Sequence, residues 1–288
     1  MSTPFKLDGT IDEAAAERMV DRLAQYGMGI FVLGTTGETA SIPVAQRDRL
    51  VAVAVRTAGE RVPVYAGIGD NCLADSFATA ASFHRLGVSA VVARLPGFYT
   101  LNAAEMQAYF EILVREIAGP VLIYNIPATT HMSIPPDLAE QLSTLPRVVG
   151  FKDSENVAGR PEELARRFAG RTDFSLFMGV AALSTRALRL GFHGLVPSSG
   201  NLAPALWRDL HAAARAGDWA KVDALQQRVD AVAQVFQRQR SLAQSLAALK
   251  AALEFLGLCT PVVLPPLQTL SPGERAVVHR ELAPLALS

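Results

Sequence analysis

Short runs of consecutive apolar residues, rich in valine and isoleucine, recur along the chain at 29–33, 62–66, 90–93, 121–124, 148–152, 174–178 and 194–196. Each is too short for a helix of ordinary length, and none alternates apolar with polar as a half-exposed strand does. They read as strands buried on both faces, the pattern of a parallel sheet. Between the early runs, residues 11–26, 44–57, 73–86 and 103–117 repeat their apolar positions at helical spacing. Strand and helix therefore alternate, with successive strand starts 20 to 33 residues apart.

Such repetition fits a (β/α)8 TIM barrel or an open doubly wound sheet. An open sheet that binds a nucleotide carries Gly-x-Gly-x-x-Gly after its first strand. The nearest segment here, Gly67-Ile68-Gly69-Asp70-Asn71-Cys72, lacks the third glycine and follows a middle strand. The barrel is the expected fold. From Pro204 onward the strands give way to helical stretches at 204–216, 219–256 (broken near 237–241) and 272–285. The proline-rich segment 261–266 is unsuited to a central strand. With no linker or low-complexity tract, residues 1–203 are expected to form the barrel and 204–288 a helical extension of the same domain. Only seven strands are visible. Either residues 1–5 make a minimal first strand or that strand is missing, which would leave a seam of unpaired backbone.

Composition narrows the classes. The 288 residues carry 27 basic and 27 acidic side chains and are half hydrophobic. A neutral chain lacks the basic face that nucleic acid demands. No apolar run approaches the ~18 residues that span a bilayer, and no basic segment followed by an apolar stretch opens the chain. Two cysteines, Cys72 and Cys259, make no disulfide framework. The expectation is a cytoplasmic protein that binds neither nucleic acid nor membrane. Only four of the basic residues are lysines: Lys6, Lys152, Lys221 and Lys250.

In a barrel, function gathers at the C-terminal ends of strands, and three such ends stand out. Gly34-Thr35-Thr36-Gly37-Glu38 offers hydroxyls and turn amides suited to a small carboxylate, or simply a glycine turn with threonine caps. Tyr124, ending the run Val121-Leu-Ile, is core filler or a phenol at the mouth. Lys152 ends Val148-Val-Gly-Phe, where an ammonium is expensive to bury. It either reaches solvent, pairs with Asp153 or Glu155, or serves as a nucleophilic amine able to attack a ketone. Tyr124 and Lys152 are 28 residues apart, one strand–helix–strand step. They therefore belong to the same end of neighbouring strands, and an amine, a phenol and a hydroxyl at one mouth can form an imine and move its protons.

The runs Gly34-Thr-Thr-Gly37-Glu38, Tyr124-Asn-Ile-Pro127 and Gly150-Phe-Lys152-Asp153 resemble, in order and spacing, the signature segments of the dihydrodipicolinate synthase/N-acetylneuraminate lyase family. The resemblance covers nearly the whole chain. It implies a (β/α)8 barrel, commonly a homotetramer, that uses no metal or organic cofactor and binds pyruvate, or a 2-oxo acid cleaved to pyruvate, as a Schiff base. Carried over, it makes Lys152 the Schiff-base lysine and Tyr124 the proton donor and acceptor. Thr35 and Thr36 become the carboxylate-holding pair, with Thr35 also in the proton relay, and Val196 the residue whose backbone lies against pyruvate.

Several positions depart from the family pattern. Thr129 stands where the synthases carry an arginine for the second substrate's carboxylate, and His131 replaces a glycine two residues on. Ala181 and Ala182, after the substrate-side glycine matched by Gly179, replace the acidic pair of sialate lyases. Phe98, in Leu95-Pro96-Gly97-Phe98-Tyr99, falls where the relay's second tyrosine sits, with Tyr99 beside it. Arg94 is a candidate for a distal carboxylate or for a surface ion pair. The five histidines have no metal-ligand spacing. The expected function is a Schiff-base-forming class I lyase, an aldolase or dehydratase acting on pyruvate and small 2-oxo acids, with 2-keto-3-deoxy sugar acids the favoured class. The alternatives are 4-hydroxy-tetrahydrodipicolinate synthase and a non-catalytic keto-acid-binding protein of the same fold.

Overall fold

A computed structural model describes residues 1–287. The first half of the chain gives α1 (Glu13–Gln25), β1 (Ile30–Val32), α2 (Val44–Ala58), β2 (Val64–Ile68), α3 (Leu73–Leu86), β3 (Ala90–Arg94), α4 (Ala103–Glu116) and β4 (Val121–Asn125). Then come α5 (Pro127–Thr130), α6 (Pro136–Leu142), β5 (Val148–Asp153), α7 (Arg160–Arg167), β6 (Ser175–Met178), α8 (Ser184–Arg189) and β7 (Gly194–Leu195). Four helices follow: α9 (Pro204–Arg215), α10 (Trp219–Gln237), α11 (Leu242–Phe255) and α12 (Pro272–Leu282). Every apolar run expected as a strand is one, and the strands lie in the sheet in chain order. Parallel neighbours in chain order are what repeated strand–helix crossovers produce.

The chain forms two compact units, Tyr65–Pro197 and a second that joins Met1–Val64 to the chain from Ser198 onward. In the first, β2 to β7 pair in parallel. All five residues of β4 are buried, as are the first four of β3, as continuous apolar runs require. Helix α3 stops at Gly87, whose φ of 97° is the left-handed conformation that ends a helix cheaply in glycine. Asn102 and Glu105 close α4's first turn with a reciprocal capping box. Because the strands are parallel, Arg94, Asn125, Asp153, Met178 and Leu195 end them at one edge, where Tyr124, Lys152, Gly179 and Val196 stand.

In the second unit, α1 turns Ala16, Met19, Val20 and Leu23 inward and packs on α2. The Ile30 amide donates to the Pro63 carbonyl (2.9 Å), laying β1 beside the start of β2. Helix α10 packs against α9, α11 and α12. The break expected near 237–241 falls between α10 and α11: Gln239 is left-handed (φ 58°), and Ser241 with Gln244 caps the new helix.

Residues 1–5 do not form a strand; Phe5 makes a single antiparallel bridge with Ile11. The segment is nonetheless fastened. The Met1 amine donates to the Phe31 carbonyl, the Ser2 amide to Asn201 Oδ1 (2.8 Å) and the Thr3 hydroxyl to the Gly37 carbonyl (2.6 Å). Ser2, Thr3 and Phe5 are buried. This segment supplies beside β1 some of the hydrogen bonds that a first strand would otherwise make.

Candidate active site

The paired ends of β4 and β5 fix the central geometry. Tyr124 is the register partner of Lys152, and Asn125 of Asp153. Side chains alternate along a strand, so Tyr124 and Lys152 share one face while Asn125 and Asp153 share the other. The Lys152 Nζ lies 3.8 Å from the centre of the Tyr124 ring. Lysine and tyrosine are only 7% and 4% exposed. An ammonium against an aromatic face is held by the ring quadrupole as well as by packing.

Two neighbouring strands complete this side. At the end of β6, the Gly179 amide donates to the Asp153 carbonyl (2.7 Å), and the Val196 amide to the Met178 carbonyl (2.8 Å). A Cβ on Gly179 would stand 1.9 Å from Ser154 Oγ and 3.0 Å from Lys152 Cε. A side chain there would displace the Ser154 hydroxyl and press on the lysine's stem. Lys152, Tyr124 and Gly179 are thus brought together, with Val196 anchored to the residue before Gly179.

On the opposite face, the acidic residues that follow Lys152 engage Arg160. Its Nη2 donates to Asp153 Oδ1 (2.9 Å), and its Nε lies 3.3 Å from Glu155 Oε2. The Asn125 amide donates to Asp153 Oδ1 (2.7 Å) and Glu155 Oε2 (2.9 Å). Asp153 is fully buried. Burial pushes its carboxyl above the ordinary value, against the opposing pull of Arg160 and Asn125. Sequence reasoning missed this network: Arg160 opens a helix of mixed charge and carries no sign of being buried.

Helix α5, which follows β4, carries Thr129, half-buried, whose hydroxyl donates to the Ile126 carbonyl (3.4 Å). His131 is exposed and left-handed (φ 59°). Arg94 Nη1 donates to the Leu95 carbonyl (3.1 Å). Phe98 and Tyr99 are both about three-quarters exposed and meet edge to face, with ring centres 4.9 Å apart. Among the described residues, no group of three or more His, Cys, Asp or Glu side chains could hold a metal ion.

Thr35 and Thr36 belong to the other unit, half-buried in the loop after β1. The loop is wound tightly: the Gly37 and Glu38 amides donate back to Gly34 (3.0 Å) and Thr35 (3.1 Å). Leu33 and Glu38, which bracket it, are both left-handed (φ 57°), an expensive conformation outside glycine that the surroundings must impose. What holds Glu38 there is Lys250 of α11, 2.9 Å from its carboxylate, with both side chains shut off from solvent. Lys250 Nζ also donates to the Val262 carbonyl (2.9 Å) and sits 4.3 Å from the Phe5 ring centre. The Leu264 amide donates to Glu38 Oε2 (3.2 Å). Burial raises the Glu38 carboxyl's pKa, opposed by Lys250. The scarcity of lysine was the only sequence signal pointing to Lys250.

Residues 1–284 match the dihydrodipicolinate synthetase family model. Curated relatives include the 4-hydroxy-tetrahydrodipicolinate synthases of Phenylobacterium zucineum, 30% identical over 277 residues (96% of this chain, 92% of that one), and Thiobacillus denitrificans, 30% over 278 residues (96% and 92%). Among solved structures, the chain resembles YagE, a prophage protein of the dihydrodipicolinic acid synthase family from E. coli K12 in complex with pyruvate. That match has 26% identity and a TM-score of 0.93, covering 100% of this chain and 97% of that one. The dihydrodipicolinate synthase of Bacteroides thetaiotaomicron matches at 28% identity and a TM-score of 0.92, covering 99% and 96%. The fold is the (β/α)8 barrel with its C-terminal helical extension. A family model matched almost end to end, and relatives at 30% identity over nearly their whole length, make this chain a member of the dihydrodipicolinate synthetase family and a class I lyase.

Proposed function

We propose that the protein binds pyruvate as an imine of Lys152 and joins it to, or releases it from, a second carbonyl compound. The observation that carries this reading is the buried amine of Lys152 against the ring of Tyr124, with Gly179 clearing its path. The unprotonated Nζ attacks C2 of pyruvate; the carbinolamine then loses water as its oxygen takes up a proton, leaving a protonated imine. Tyr124 carries protons to and from that oxygen and carbon, with Thr35 in the relay. Thr35 and Thr36 anchor the carboxylate through hydroxyls and backbone amides, and Val196 packs its backbone against the bound keto acid. The iminium takes up the electron pair when the carbon–carbon bond breaks, so this chemistry asks for no added cofactor.

For the second substrate, the relatives' names favour the synthase reading, condensation of pyruvate with aspartate semialdehyde. A different observation favours cleavage of a 2-keto-3-deoxy sugar acid: Thr129, whose short hydroxyl replaces the arginine expected for a second carboxylate. Family resemblance supports a homotetramer, and the free thiols Cys72 and Cys259 support a reducing compartment, the cytoplasm.

Borohydride reduction with pyruvate tests the shared chemistry. A reduced pyruvyl adduct located on Lys152 supports it, and no adduct on folded protein overturns it. Parallel assays with pyruvate plus aspartate semialdehyde and with a panel of keto-deoxy acids then decide between the two second substrates.

A further inference from the structure

Behind the lysine and tyrosine, on the other face of the same two strands, lies a buried polar network that the imine chemistry does not use directly. Every polar atom of the Asn125 amide is committed: Nδ2 to Asp153 and Glu155, and Oδ1 to the Ile134 amide (2.9 Å). Glu155 Oε2 also accepts from the Ser133 hydroxyl (2.6 Å). Arg160 donates from Nε to both Asp153 oxygens (3.0 and 3.1 Å), from Nη2 to the Ile134 carbonyl (2.9 Å) and from Nη1 to Ser133 Oγ (3.4 Å).

With these donors engaged and a side chain only 7% exposed, Arg160 is poorly placed to receive an anionic substrate. Its engagement does something else. The bond from Asn125 to Asp153 crosses from β4 to β5 one residue beyond the rung formed by Tyr124 and Lys152. Past it the ladder has one more backbone bond, from the Ser154 amide to the Asn125 carbonyl (3.0 Å). Strand ends fray unless something fastens them, and here the fastening sits one residue from both groups that must stay aligned. The contacts to Ser133 and Ile134 tie the stretch just after α5 and His131 to the same point.

We infer that Arg160 and Asn125 are positioning residues, which act through Asp153 and Glu155 to hold the ends of β4 and β5 in the register that sets the Lys152 amine on the Tyr124 ring. The inference rests on the imine reading above. It makes the catalytic pair depend on an arginine from α7 that touches neither member of the rung through the contacts described.

The test compares wild type with Arg160→Met and Arg160→Lys. At temperatures where each variant is folded by circular dichroism, the rate of borohydride trapping is measured against pyruvate concentration. This separates the maximal trapping rate from the half-saturating concentration. A misplaced nucleophile slows the reaction by roughly 10- to 100-fold without needing to weaken capture of the keto acid. Arg160→Met is expected to lower the maximal rate by about that factor and leave half-saturation within about twofold. Arg160→Lys is expected to recover part of the loss, because an ammonium keeps the charge but not the fork that serves Asp153, Ser133 and Ile134 together. If Arg160→Met does not fold, Arg160→Lys carries the test, with a maximal rate below wild type expected. Folded variants that trap at the wild-type maximal rate would overturn the inference, as would a rise in half-saturation alone. Wild-type protein that forms no adduct would defeat the imine reading itself and this inference with it.

Discussion

Lys152 and Tyr124 are register partners on adjacent parallel strands, and the amine of one lies 3.8 Å from the ring centre of the other. The pairing turns 28 residues of sequence separation into direct contact. It also sets the geometry that the proposed roles need: the lysine's amine lies on an aromatic face, and the phenol is held at the same strand edge. The two cannot be shifted independently, because each is fixed by its strand's ladder.

Removing either partner should separate those roles. Lys152→Ala is expected to abolish the pyruvate adduct. Tyr124→Phe keeps the ring and is expected to form the adduct while turning over roughly 10²–10⁴-fold more slowly. Trapping followed by mass spectrometry, together with steady-state rates, checks both. An adduct of undiminished yield in Lys152→Ala would place the nucleophile elsewhere.

Gly179 makes a steric prediction. A methyl group there would overlap Ser154 Oγ, at 1.9 Å, and crowd Lys152 Cε, at 3.0 Å. Gly179→Ala should slow adduct formation by about tenfold or more, since small displacements of a reacting group are costly. Adding Ser154→Ala removes the worse overlap and should restore part of the rate. Equal trapping by wild type and Gly179→Ala would count against the steric account.

The Lys250–Glu38 pair should matter chiefly to stability. Lys250→Met would strand a buried carboxylate, a change that typically costs about 3–5 kcal/mol. Glu38→Gln combined with Lys250→Met removes both charges, and the new side-chain amide keeps an oxygen to accept from the Leu264 N–H, as the carboxylate does now. The double variant is expected to be more stable than Lys250→Met alone in urea unfolding. The reverse order would show that the loss comes from packing rather than from the unpaired charge.

Cys259 gives an alkaline signature. Burial pushes its thiol from 9.0 up to about 11, reinforced by Glu38, Asp12 and Glu254 and opposed by Lys250. A thiol whose folded value is raised keeps its full contribution below about pH 9. The contribution fades as pH rises through about 11, because the unfolded chain releases the proton first. Two pH units correspond to about 2–3 kcal/mol. The stability difference between wild type and Cys259→Ala should therefore shift against wild type across pH 9–11 and stay flat below it. At neutral pH, an alkylating reagent should modify exposed Cys72 well before Cys259.

Much of the scaffold was legible because its signals are local. The strands of 3–6 residues at 30, 64, 90, 121, 148 and 175 are apolar runs that no surface segment would carry, and α3 spans the 73–86 stretch that its periodicity marked out. The helices α5 to α8, of four to eight residues, were not singled out. Two turns or fewer hold too few apolar positions to establish a period. Of the two readings of residues 1–5, a minimal strand or a missing one, the second holds, and the segment's bonds go instead to Phe31, Gly37 and Asn201.

At the candidate site, the residues alone are enough to say which side chains stand at strand ends. Strand length and the two-residue alternation decide that, and they single out Lys152 and Tyr124. Which charged side chains turn inward, and against what, is settled only by the fold. Arg160 turns inward because Asp153, Glu155 and the Ile134 carbonyl are there to receive it. Lys250 is buried without solvent because Glu38, more than 200 residues earlier, offers the opposite charge. A charged side chain in a helix reads as solvated unless its partner is known, and burial is tolerable only once that partner is in place. Partners brought together by the fold leave no mark in the periodicity of either segment.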